Sequence, residues 1–142
     1  MSKVDEFKYE IVRKHMFGKW AMFSNGEDLI YSLDDIAEVE AILYPKDLYK
    51  QNSQMSDVVI YSFEKAKIRI ITLDEDGTVT VLSRLFGSIQ SIELKHKNRG
   101  SSRLIINFSE TDKIDLDSQL DSDHKQWAYQ EIIMKLYKEL KW

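Results

Sequence analysis

The chain has 142 residues, 43% of them apolar and 31% charged, with a net charge of −4 and a pI near 5.4. That composition fits one folded domain with a core of its own; it excludes a disordered chain, and the acidic balance excludes nucleic-acid binding through bulk charge. The absence of cysteine excludes disulfides, thiolate catalysis and zinc sites built on sulfur.

Met1 to Glu6 is charged and lacks the apolar core of a signal peptide, and no apolar run approaches the roughly 20 residues that cross a bilayer. A cytoplasmic location is therefore expected. Ser2 and Asp5 have the spacing of a capping pair, and Val4, Phe7 and Ile11 recur at helical intervals. This predicts a helix from Lys3 to His15, ended by Gly18; the alternation of Phe7, Tyr9 and Ile11 leaves a strand open. Ser24-Asn25-Gly26-Glu27 reads as a turn, with a hairpin joining Trp20–Phe23 to Leu29–Tyr31 as one form of it. Ser32, followed by Asp34 and Asp35, is placed to cap a second helix. Ile36, Val39, Ile42 and Leu43 would form its apolar face, and Pro45 would stop it. Residues 46–56 have no regular period and read as a loop.

From Asp57 to Leu116 the period is two. Val58–Phe63, Lys67–Leu73, Thr78–Ser83, Ile89–Leu94, Leu104–Phe108 and Lys113–Leu116 are rich in β-branched residues and separated by turn residues. Asp74-Glu75-Asp76-Gly77 is a hairpin turn; it resembles a fragment of a calcium loop but lacks the later oxygen ligands. Alternation slips at Ile70-Ile71 and near Gly87, which predicts bulges or bends at both. Near Asp121 the period changes to 3.6. Asp121 or Ser122 would cap a terminal helix over about residues 122–141, with Tyr129, Ile132, Ile133, Leu136 and Leu140 as its buried stripe.

The expected fold class is α+β, with about six or seven antiparallel strands packed by the terminal helix. A β-meander closed by one C-terminal amphipathic helix resembles the pleckstrin-homology-like superfold in its bacterial or GRAM-type form. Ile68–Ser83 as a central hairpin, Ser88–Leu94 and Trp127 near the helix start carry the resemblance. It covers residues 57–142 of a single domain, leaves residues 1–56 as a helical addition, and implies a bent sheet or barrel plugged by the helix. The positions four and seven after the tryptophan are Glu131 and Met134, where such helices usually continue the buried face. As a whole, the chain is similar to a small family from bacilli.

No nucleophile elbow, phosphate-cradling glycine loop or paired-histidine motif is present, and His15, His96 and His124 lie far apart. The reading is a non-catalytic binding module without a cofactor, most readily for a protein or peptide, by strand addition or through an apolar groove beside the helix. The alternative is recognition of an anionic ligand or membrane surface. Lys95, Lys97, Arg99 and Arg103 would form its first patch, and Lys65, Lys67 and Arg69 its second. Asp115, Asp117, Asp121 and Asp123 either hold a hard cation or flank a strand end and cap a helix. Trp127, Met134 and Trp142, on the outward side of the helix, are covered by residues 1–56 or available to a partner, a homodimer being the simplest.

Overall fold

In the computed structural model, residues 7–23 and 25–140 are described. Helices α1 (Tyr9–Trp20) and α2 (Gly26–Ile36) precede strand β1 (Ile42–Lys46). Strands β2 (Val59–Phe63), β3 (Lys67–Leu73) and β4 (Val79–Leu85) join it in an antiparallel sheet of order β1-β2-β3-β4. Strands β5 (Ser91–Lys97), β6 (Ser101–Asn107) and β7 (Lys113–Asp117) make a second, three-stranded antiparallel sheet, followed by helix α3 (Gln126–Glu139). The class is α+β, as expected. The two sheets do not close into a barrel.

Two cores explain the layering. The first lies between the sheets and under α3, with Tyr44, Tyr61, Phe63, Ile68, Leu104, Ile106, Ile114 and Leu116 meeting Tyr129, Ile132, Ile133 and Leu136. Phe7 and Tyr44 both pack edge-on against Tyr129 at 4.9 Å between ring centres. The Tyr129 hydroxyl donates to the Pro45 carbonyl, which ties α3 to β1. The second core lies on the other face of the first sheet, where Leu43, Ile60, Ile71 and Leu73 meet Val12, Met16 and Trp20 of α1 and Leu29, Ile30 and Leu33 of α2. Each such side chain, fully buried, contributes roughly 1.5–3 kcal/mol of transfer free energy. Strands β1, β2 and β3 of the first sheet thus bury side chains on both faces, and the two helices are part of their packing.

That arrangement corrects several expectations. The Ile70-Ile71 doublet is no bulge: β3 and β4 pair without interruption through Ile70↔Leu82 and Ile71↔Val81. Ile70 packs on the first core and Ile71 on the second, so both must be apolar. The break near Gly87 is real and marks the passage from one sheet to the other, through a single tight turn at Phe86–Ser88.

The predicted first helix lies later, starting at Tyr9; residues 3–6 are outside the described region. Gly18 falls inside α1 instead of ending it. Val12, Met16 and Trp20 are buried along one face, and that packing outweighs the roughly 1 kcal/mol that a mid-helix glycine costs. The turn at Asn25-Gly26 exists, but it joins two helices and no hairpin, Ser24 lying outside the described residues. Asn25 takes φ 64°, and a Cβ on Gly26 would run into the carbonyl of Trp20.

Ser32 caps nothing. It sits within α2, and the predicted helix through Leu43 is replaced by β1, whose Ile42 and Tyr44 face the first core while Leu43 faces the second. Pro45 fits because β1 is an edge strand. At the other end, α3 begins four or five residues after the expected cap. Ser122 Oγ accepts from the Lys125 amide at 3.2 Å, while Asp121 turns inward. The buried stripe of α3 is as read: Tyr129, Ile132, Ile133 and Leu136 are buried, and Leu140 packs beside them.

Candidate functional site

Strands β4 and β5 follow each other in the chain but belong to different sheets, so each offers a seven-residue edge that pairs on one side only. The first core reaches the surface on this side. Ile70 of β3, Phe86 of the connecting turn, and Ile92 and Leu94 of β5 pack against it while only half-buried. Leu82, opposite Ile70, is 50% exposed, and Leu85 is 63% exposed. Arg84 lies over the Phe108 ring and pairs with Asp112, and its buried Nε finds no acceptor among the described residues.

The end of this edge is held rigidly. In the β5–β6 hairpin, Arg99 and Gly100 take φ 70° and 87°. The Gln130 side chain of α3 accepts from the Gly100 amide at 2.8 Å and donates to the Lys97 carbonyl at 2.7 Å and to Ser102 Oγ at 3.0 Å. Ser118 Oγ donates to the Gly100 carbonyl and accepts from the Ser102 amide. Sequence reasoning missed Gln130. Its signal was a long amide flanking the apolar stripe, next to Tyr129, where a solvent-facing residue would need no partner.

The seven basic residues do not form one surface. Lys67 and Arg69 lie on β3 of the first sheet, with Lys65 in the turn before it, whereas Lys95, Lys97 and Arg103 lie on the second. Arg69 is paired with Glu64 in a mostly buried position. Arg103 forms a two-pronged pair with Asp115, Nε to Oδ1 at 2.8 Å and Nη2 to Oδ2 at 2.5 Å. This raises the Arg103 pKa and holds the Asp115 carboxyl below its ordinary range. Lys95 stands 3.8 Å from Glu93. Among the described residues, Lys97 and Arg99 at the hairpin end have no acidic partner.

Three of the four aspartates, Asp115, Asp117 and Asp121, border one pocket together with Lys46 and Arg103, and Asp123 lies outside it; each is engaged within the chain. Asp115 answers Arg103, Asp117 accepts from the Gln119 amide at 2.9 Å, and Asp123 accepts from the Gln51 amide at 2.7 Å. Asp121 is 2% exposed and takes the Tyr44 hydroxyl at 2.6 Å and the Asp117 amide at 2.8 Å, with Lys46 at 3.7 Å. Burial raises its pKa, and the Tyr44 hydrogen bond works against that rise. Among the described residues, no group of three or more His, Asp or Glu side chains is arranged to hold a metal ion.

Trp127 is 54% exposed and stands beside the hairpin, where a Cβ on Gly100 would come within 3.7 Å of its ring. Met134 is half-buried, and neither residue belongs to a core. Trp142 lies outside the described residues. Helices α1 and α2 cover the first sheet, where the second core lies.

No protein-family model matches the chain, and no curated protein or solved structure matches it. None of the described helices is long and apolar enough to cross a membrane.

Proposed function

We propose that the chain is a non-catalytic binding module that takes up an extended peptide by strand addition along β5, in the seam between β4 and β5. The observation that carries this reading is the pairing of an open seven-residue strand edge with half-buried core residues, Ile92 and Leu94, on that same strand. An added strand would satisfy the outer backbone groups of β5 while its alternate side chains covered Ile92, Leu94 and Leu82. The free charges at Lys97 and Arg99 favour a peptide with an acidic residue toward the hairpin end. Seven antiparallel strands divided four and three, with the terminal helix packed on the second sheet, support a pleckstrin-homology-like fold.

Peptides selected from a random library on the immobilised full chain provide the test. Selected sequences should alternate apolar residues and bind Leu82→Lys at least about tenfold more weakly than wild type. Binding unaffected by Leu82→Lys and by proline within the peptide would rule strand addition out. A second reading, contact with an anionic surface, rests on Lys97 and Arg99 alone of the first patch. Binding to phosphatidylserine vesicles that falls with salt and vanishes in Lys97→Glu/Arg99→Glu would support it, and vesicle binding that ignores both would exclude it.

A further inference from the structure

A second surface lies at the far side of the first sheet, where the α1–α2 turn meets the β3–β4 turn. Trp20, Phe23, Ser53, Gln54, Met55 and Glu75 line a hollow of about 350 Å³ there. Its floor is apolar: Trp20 is 1% exposed and Met55 5%. Its lip is apolar too, with Phe23 61% exposed and the adjacent Met22 98% exposed.

The hollow is a built feature. The Asn25 side chain donates to the Glu75 carbonyl at 3.0 Å, locking the two turns together. Lys19 Nζ donates to the carbonyls of Leu48 and Lys50 and to Ser53 Oγ, which fixes the wall behind it. That ammonium is spent on three oxygens of its own chain. Glu75 lines the hollow, and the turns that form it carry further exposed carboxylates: Glu27 and Asp28 in the first turn of α2, Asp57 two residues after Met55, and Asp74 and Asp76 in the β3–β4 turn. Glu27 accepts from the Tyr31 hydroxyl, Asp57 from the Gln54 amide and Asp76 from the Thr78 amide, but among the described residues none of the six forms a salt bridge that would neutralise its charge.

Exposed methionine and phenylalanine at the mouth of an apolar hollow, with Glu75 in its lining and further carboxylates on the turns that form it, select against an anionic surface and for a cationic one. We propose that this hollow docks a basic protein segment that inserts one large apolar side chain between Phe23 and Met55 while its lysines or arginines meet Glu27, Asp28 and Glu75. The inference is independent of peptide uptake at β5, which lies on the second sheet and carries the opposite charge at its hairpin end.

A fluorescein-labelled peptide with one phenylalanine between two runs of lysine tests it by anisotropy on the full chain, against the same peptide with alanine in that place. The phenylalanine peptide should bind at least about tenfold more tightly than the alanine peptide. Its binding should weaken as salt rises. Phe23→Ser and Glu75→Lys should each weaken it by about tenfold or more while leaving the thermal unfolding midpoint close to wild type, since both side chains are exposed. Equal binding of the two peptides, binding unchanged in Phe23→Ser, or no binding to the wild type would each overturn the proposal.

Discussion

At the scale of single residues, the buried carboxylate of Asp121 and the paired carboxylate of Asp115 make opposite contributions to acid stability. Burial raises the folded-state pKa of Asp121 above its unfolded value of about 3.9. Its contribution is therefore fully present below that unfolded value and is lost as pH rises through the folded one. Asp121→Asn keeps an acceptor for Tyr44 and for the Asp117 amide. The variant should be at least as stable as wild type near neutral pH, and the difference should shrink as pH falls toward about 4. Urea melts across that range check this. A neutral-pH loss greater than about 1 kcal/mol would mean that the attraction of Lys46 outweighs desolvation. For Asp115 the sign reverses: Arg103 lowers its folded pKa, so its contribution exists above about pH 3.9 and disappears as pH falls through the folded value. Asp115→Asn should accordingly flatten the acid limb of the stability curve.

Between elements, single side chains decide how helices and sheets are joined. Gln130→Ala leaves the Gly100 amide and Lys97 carbonyl without their partner, and should cost about 1–3 kcal/mol in a urea melt. Gly26→Ala should cost about 1–3 kcal/mol as well, because the new methyl meets the Trp20 carbonyl and the α1–α2 turn must shift. The strands of the second sheet were legible in the sequence because one face is polar: Glu93, Lys95 and Arg103 alternate with Ile92, Leu94 and Leu104. The first sheet was harder. A strand buried on both faces loses its alternation, so Ile70-Ile71 looked like a slip and Ile42-Leu43 looked like a continuation of the helical face of Ile36 and Val39. The candidate site was legible only in part. Lys97 and Arg99 stood out as charges, and Glu93 two residues before Lys95 on one strand was legible as its neighbour, but nothing local announces that Asp115 is placed to answer Arg103, and the open edges of β4 and β5 follow from strand order alone.

For the whole molecule, residues 7–46 supply the cover of the first sheet's outer face and its β1 strand. Cutting the chain at residue 57 would expose Ile60, Ile71 and Leu73 and remove Tyr44 from beneath Tyr129. The fragment 57–142 should therefore fail to give a cooperative thermal transition, whereas the full chain should melt in one step. A cooperative, monomeric fragment would show that the N-terminal helices are an accessory layer. The same two-layered packing leaves the β4–β5 seam as the side on which the first core stays partly open, and peptide uptake there is the central claim. Amide hydrogen exchange of the full chain with and without a library-selected peptide tests it most directly. Exchange should slow across Ser91–Lys97 on binding, with the α1–α2 layer unchanged; slowing confined to α3 or to the first sheet's outer face, with Ser91–Lys97 unaffected, would contradict it.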